Sequence, residues 1–156
     1  MRIIFVRHGE RRRGERDPEL TSAGRRMARE TGQWIQDWAR DAGATVSKLV
    51  HTPTARTRQT ADEIMLVLGP VPVTVHPAEP YDVTAWQRLT GSLQGPTDTG
   101  ETMLLVGHHP TVDFLLRAYG PAPVTVPLHH LASALVLESP DGGAWTIAAA
   151  WPGRFA

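Results

Sequence analysis

With 156 residues, 41% hydrophobic and 21% charged, the chain has the make-up of an ordinary globular protein and not of a disordered one. Its 16 basic and 16 acidic residues cancel, so nothing global calls for nucleic acid or an anionic membrane as partner. The absence of cysteine excludes disulfides, thiolate metal sites and thiol catalysis together.

The chain opens as MRIIFVRHGE. Ile3, Ile4, Phe5 and Val6 form a short apolar run rich in β-branched and aromatic residues, as suits the interior of a parallel sheet. Arg7, His8 and Gly9 follow at its carboxyl end, where ligands sit in open α/β sheets. Three residues are a weak pattern alone, and an Arg and a His can equally start a solvated loop. The next stretch, 10–20, is polar, broken by Gly14 and Pro18, and crowded with Arg11, Arg12, Arg13 and Arg16; it reads as a loop. Thr21 is the expected N-cap of a long helix over about 22–42. Met27, Thr31, Trp34, Ile35 and Trp38 share one side of that helix, charged residues cover the other, and Gly43 closes it.

A second short strand is predicted over about 46–50, ending in His51-Thr52-Pro53, and a helix over about 54–68 with Ala61, Ile64, Met65 and Leu68 towards the core. Residues 71–75 alternate as a short strand, at or near an edge because of Pro72. A loop over 77–83 leads to a helix capped by Thr84. A strongly buried strand over 103–106 ends again in Gly and His, and Pro110 suits the first turn of a helix that follows. Two last strands, about 132–137 and 145–150, read as a hairpin across Asp141-Gly142-Gly143. Alternation of strands and helices predicts one α/β domain spanning 1–156, a three-layer α/β/α sandwich around a mainly parallel sheet with the hairpin at one side. No run of about 18 apolar residues and no cleavage signal is present, so a soluble, unprocessed, cytoplasmic protein is expected.

Four polar groups fall at comparable places: Arg7 and His8 after the first strand, Arg56 in the first turn of the helix after the second, and His108 after LLVG. If those strands are parallel neighbours, the four converge in a cationic pocket above one edge of the sheet. Two guanidiniums, two imidazoles and nearby helix N-termini suit a phosphoryl group, and Gly9 lets the backbone approach closely beside His8. With no thiol, His8 is the best-placed nucleophile. It would attack phosphorus in line while Arg7, Arg56 and His108 stabilise the equatorial oxygens, and water would then cleave the phosphohistidine.

The stretches RHG at 7–9, TPTARTRQTA at 52–61 and LLVGHHP at 104–110 resemble, in order and spacing, the histidine phosphatase superfamily with its phosphoglycerate mutase-like fold. The resemblance covers essentially the whole chain. It implies that His8 is the transiently phosphorylated nucleophile, and that Arg7, Arg56 and His108 hold the phosphate without any cofactor. Leu20-Thr21 followed by Gly24 also matches that family's entry to the first long helix. Short length and the ending SALVLESPDGGAWTIAAAWPG look most similar to the small SixA-type phosphohistidine phosphatases. Arg11 and Gly14 stand where mutases of the family carry Thr and Asn, and the family's usual acidic proton donor is not intact. Glu79 is the candidate acid and reads equally as a solvated loop carboxylate; Asp82 is a weaker one and reads also as a residue that sets up the following helix. A pocket poor in acids leans towards phosphohistidine or another activated phosphate, because an alkoxide leaving group needs a positioned proton donor, worth about 10²–10⁴-fold.

The expected partner is a phosphorylated protein or a small phosphorylated molecule. A monoesterase using Glu79, and a phosphate-binding regulatory domain, are the alternatives. The Arg11, Arg12, Arg13 and Arg16 cluster can line the pocket mouth, with Arg11 a candidate substrate contact, or pair with Glu10, Glu15, Asp17 and Glu19 on a solvated loop. Neither His108-His109 nor His129-His130 has a carboxylate-rich partner motif, so no metal is expected. His109 reads as a cap for the helix at Pro110, His129 and His130 as either pocket or surface residues. Arg58 is assigned to the surface or a salt bridge, and Gln59 and Thr60 to packing near the site.

Overall fold

Six strands and two helices are described by the computed structural model, in the order β1 (Arg2–Arg7), α1 (Ser22–Asp41), β2 (Thr45–His51), α2 (Ala55–Leu68), β3 (Val73–Val75), β4 (Glu101–Gly107), β5 (Ala134–Glu138) and β6 (Thr146–Trp151). The structure describes residues 2–77, 88, 101–109, 130–139 and 146–153. The helices predicted after Thr84 and from Pro110, and the turn at Asp141-Gly142-Gly143, lie outside these residues.

The strands form one sheet in the order β3-β2-β4-β1-β5-β6. β4 runs parallel to both β1 and β2, β3 runs parallel to β2, and β5 and β6 add antiparallel at one side, the place expected for the terminal hairpin. This is the α/β, phosphoglycerate mutase-like arrangement. The central strands are apolar on both faces, as strands buried on both sides must be. Ile4, Val6, Leu104, Val106, Ala134 and Val136 pack with Ile35 of α1 and Ala61 and Ile64 of α2. Alternate residues Ile3, Phe5, Leu105 and Leu135 are equally inaccessible. Val73 and Val75 on the edge strand β3 are exposed, in keeping with Pro72 just before them.

Helix α1 begins as the sequence predicts: the Thr21 side chain accepts the Gly24 N–H at 2.9 Å. It ends at Asp41, with Gly43 at φ +60° turning the chain out of the helix. Met27, Thr31 and Ile35 are buried on its inner face, and Trp34 and Trp38 pack half-buried beside the core. Helix α2 is capped by Thr54 and stopped by Gly69. Its Glu63 is buried between Arg25 at 2.9 Å and Arg29 at 2.5 Å, tying the two helices together. The strand predicted from 132 starts two residues later, because Ala132 adopts φ +57°, a left-handed conformation that strand pairing does not allow. Arg58 pairs with Asp62 on the exposed face of α2, in the duty assigned to it.

Two glycines decide how closely α1 can approach the end of β1. A Cβ at Gly24 would stand 2.1 Å from the Glu10 carbonyl oxygen, and a Cβ at Gly9 would stand 2.5 Å from the Gly24 carbonyl oxygen. Backbone meets backbone here, so neither side can yield by a rotamer change. Gly24→Ala is therefore expected to lower unfolding free energy by at least about 2 kcal/mol, measured by urea denaturation; an unchanged midpoint would contradict the close packing.

Candidate active site

The parallel pairing of β4 with β1 and β2 brings three carboxyl ends together, Arg7 facing Gly107 and His51 facing Val106 across the ladders. His8 follows immediately. Its N–H donates to the Gly107 carbonyl at 3.1 Å, and its own carbonyl accepts the Ala132 N–H at 3.2 Å. Both neighbours are held as well, Arg7 N–H by the Ser133 carbonyl at 3.0 Å and Gly9 N–H by Thr60 Oγ1 at 3.0 Å. The backbone that carries the His8 ring is thus fixed on every side.

The imidazoles of His8 and His108 lie side by side, with ring centroids 5.4 Å apart and planes at 64°. Both are buried. His8 Nδ1 lies 2.8 Å from the Gly9 carbonyl oxygen. A carbonyl only accepts, so Nδ1 carries the proton and Nε2 the lone pair. On His108 the tautomer is the opposite one. Arg56 Nη2 lies 3.4 Å from His108 Nδ1, and a guanidinium only donates, so that nitrogen is unprotonated. His108 Nε2–H then donates to Thr52 Oγ1 at 2.9 Å. The Thr52 hydroxyl passes its own hydrogen to Thr57 Oγ1 at 2.8 Å, and the Thr57 hydroxyl donates to the Thr52 carbonyl at 2.7 Å. A directed chain of hydroxyls therefore orients the second imidazole.

Burial above all pushes the His8 pKa down to about 3, the bond to the Gly9 carbonyl acting against it and the charges of His108, Arg56 and Arg7 adding to it. His108 is lowered to about 4, by burial first and then by Arg56 and Arg7. Both rings are neutral near pH 7. Burial lowers the Arg7 pKa, and lowers that of Arg56 together with the charge of Arg11, Asp17 acting the other way; both guanidiniums remain charged. Arg56 is steered by Asp17, whose carboxylate lies 3.9 Å from Nη1 and accepts the Ala55 N–H at the start of α2 at 2.9 and 3.1 Å. Arg56 Nε is buried with no hydrogen-bond partner among the described residues. A charged donor in that condition is suited to an oxyanion.

Arg7, His8, Arg56 and His108 share the lining of a cavity of about 770 Å³ with Arg11, Arg12 and Arg13. His109 and Glu10 line it too, and Glu10 is the one carboxylate on that wall among the described residues. Gly9 stands behind the site, its close approach being to Gly24. Glu79, Asp82 and His129 lie outside the described residues. Asp17 differs from its sequence expectation: it does not pair with the arginines of its own loop but caps α2 and steers Arg56. Thr52 went unnoticed because its role depends on a bond 56 positions away. Gln59 and Thr60 meet their expectation, Gln59 Oε1 accepting the Leu20 N–H at 2.7 Å. Among the described residues no group of three or more His, Cys, Asp or Glu could hold a metal ion, and no helix is long and apolar enough to cross a membrane.

Paired neutral imidazoles between two guanidiniums, at the carboxyl edge of an α/β sheet, define an enzyme class that handles phosphoryl groups. The chain belongs to the histidine phosphatase superfamily (branch 1), whose family model matches residues 3–91, and it is a phosphatase. No curated protein matches it significantly. Among solved structures it is similar to the protein histidine phosphatase SixA complexed with tungstate, with 20% identity over 97% of this chain and 96% of that one and a TM-score of 0.79. It is also similar to a mycobacterial glucosyl-3-phosphoglycerate phosphatase complexed with VO3, with 17% identity, 95% and 97% coverage and a TM-score of 0.69. A phosphoglycerate mutase from Plasmodium falciparum gives 22% identity, 95% and 88% coverage and a TM-score of 0.67. At these identities the likenesses establish the fold.

Thr52→Val keeps the shape and removes the acceptor for His108 Nε2–H. It is expected to lower kcat/KM towards an aryl phosphate about tenfold, the worth of one buried hydrogen bond; an unchanged value would remove Thr52 from the site. The two depressed histidine pKa values also make a stability prediction. The unfolded chain binds these protons near pH 6.5 and the folded one only near pH 3–4. Stability is therefore fully present above about pH 7 and is lost as pH falls from there towards 4. Thermal melts across that range should show the decline, and His8→Asn with His108→Asn should flatten it.

Proposed function

We propose that the protein is a single-domain, metal-independent phosphatase working through a phosphorylated His8, and that its substrate is phosphohistidine or another activated phosphate. The observation that carries this reading is the His8 ring: neutral, buried, with its Nδ1 proton held by the Gly9 carbonyl and its Nε2 lone pair left for attack. In the proposed reaction Nε2 forms a bond to phosphorus as the bond from phosphorus to the leaving group breaks. The leaving nitrogen or oxygen takes up a proton. Water then attacks the phosphorus of phospho-His8, inorganic phosphate departs, and the neutral imidazole returns.

Arg7 and Arg56 supply charge to the equatorial oxygens, where charge is spread in the transition state. The Arg56 Nε, buried without a partner among the described residues, supports that role. His108 Nδ1 faces Arg56; an arriving phosphoryl dianion raises the pKa of that imidazole, so it can take up a proton and donate it to a phosphoryl oxygen. The similar SixA and glucosyl-3-phosphoglycerate phosphatase structures hold tungstate and VO3, oxyanions of phosphate-like shape, which supports a phosphoryl pocket in the same fold. The preference for an activated leaving group rests on the poverty of carboxylates: Glu10, engaged at 2.7 Å by the Thr21 hydroxyl, is the one on the cavity wall among the described residues.

Phosphate release by the wild type and by His8→Ala, in EDTA, from a phosphohistidine peptide and from an aryl phosphate tests the proposal. Faster release from the peptide, lost by about 10³-fold or more in the variant, is the expected result. Preference for the ester would make the protein a monoesterase, with Glu79 as the acid to change next. Release that survives the substitution would show that His8 is not the nucleophile.

A further inference from the structure

The cavity is larger and more cationic than one phosphoryl group requires. A phosphoryl dianion is matched by Arg7 and Arg56 at the buried end of the site. At about 770 Å³ the cavity has the size of a site for a whole small molecule. Arg11, Arg12 and Arg13 also line it, all three exposed. Exposure thus ranks the lining from two inaccessible imidazoles to three solvated guanidiniums at the mouth.

These arginines are not on a free loop. Arg11 bridges Leu20 in an antiparallel pair, Arg12 N–H donates to the Glu19 carbonyl at 2.8 Å, and Thr21 N–H donates to the Glu10 carbonyl at 2.9 Å. The stem is fastened to α2 by Leu20 N–H on Gln59 and by Asp17 at the helix start. The neighbouring acids do not neutralise them. Among the described residues no carboxylate comes within ion-pair distance of Arg11, Arg12 or Arg13, although Glu10, Glu15, Asp17 and Glu19 share the loop, and Asp17 is committed to α2 and Arg56. Like charges side by side on one wall, with no carboxylate counterion among the described residues, repel one another, and Arg11 also repels Arg56, whose pKa its charge depresses. An anion bound among them relieves that repulsion, and binding energy is gained from it.

We propose that Arg11, Arg12 and Arg13 form a second anion subsite, which selects phosphorylated substrates carrying a carboxylate or a further phosphate beside the transferred phosphoryl group. This rests on the phosphoryl pocket proposed above and names the class of substrate that pocket takes. The second anion comes either from a small acidic phosphometabolite or from acidic side chains flanking a phosphorylated residue.

Binding of non-hydrolysable phosphonates separates this subsite from the catalytic proposal, because it needs no turnover. By titration calorimetry at low salt, the wild type is expected to bind phosphonosuccinate about tenfold or more tightly than methylphosphonate. The ratio should fall towards one in Arg12→Gln with Arg13→Gln, and should fall in the wild type as salt is raised. Equal affinity of the two phosphonates for the wild type overturns the subsite and leaves the phosphoryl pocket standing, as does a ratio that the double variant retains. Failure to bind either phosphonate overturns the pocket itself. A peptide bearing a triazolyl phosphonate in place of phosphohistidine, flanked by Glu or by Gln, distinguishes the sources. Tighter binding of the Glu peptide than of phosphonosuccinate assigns the subsite to an acidic protein segment, and the reverse order assigns it to a metabolite.

Discussion

Everything at this site depends on one strand, β4, lying in parallel register between β1 and β2. Parallel pairing aligns carboxyl ends, and the side chains just beyond those ends have nowhere to point but into a common crevice. His8 and His108 come from adjacent strands and so meet with their rings 5.4 Å apart. Arg56 arrives from the helix after the third strand of the set. Were any one of these strands antiparallel, its polar end would lie at the opposite edge of the sheet, and the constellation would not exist.

The rigidity of His8 is bought by tertiary contacts on both sides of its backbone. β4 and the segment before β5 grip it in the plane of the sheet, while Thr60 of α2 holds the next N–H from below. The contact between Gly9 and Gly24 allows α1 to seat against the same turn. The proposed role of His8 as nucleophile calls for such fixing, because small errors of position cost rate steeply. Burial does a second task here. It keeps both imidazoles neutral, so the residue that fixes geometry also fixes the protonation state.

The exposed wall works by a different physics. At the buried end, few charges act at short range in a poor solvent for charge. At the mouth, three solvated arginines act through their summed field, which salt screens. Under the proposed subsite, a substrate would be drawn in and sorted by the second field, then held for reaction by the first. The loop between β1 and α1 touches both, contributing the cationic wall on one side and, on the other, Asp17 beside Arg56.

Much of this was legible in the chain itself. Local rules acting over a few residues placed β1, α1 and α2, the cap Thr21, the start of α2 to within a residue, the edge position of β3, and the polar residues at the strand ends. Periodicity and capping are interactions between sequence neighbours, so they are written in sequence. The sequence also showed that Arg7, His8, Arg56 and His108 fall at comparable strand ends, but only on the condition that the strands are parallel and close. Strand order met that condition. The rest was decided by the tertiary structure alone. Asp17 as the cap of a helix 38 positions away, Thr52 as the acceptor for His108, and Glu63 as a buried carboxylate between two arginines have no local signature. Their partners are chosen by packing, and a polar side chain that sequence assigns to solvent is buried once folding delivers the groups that satisfy it.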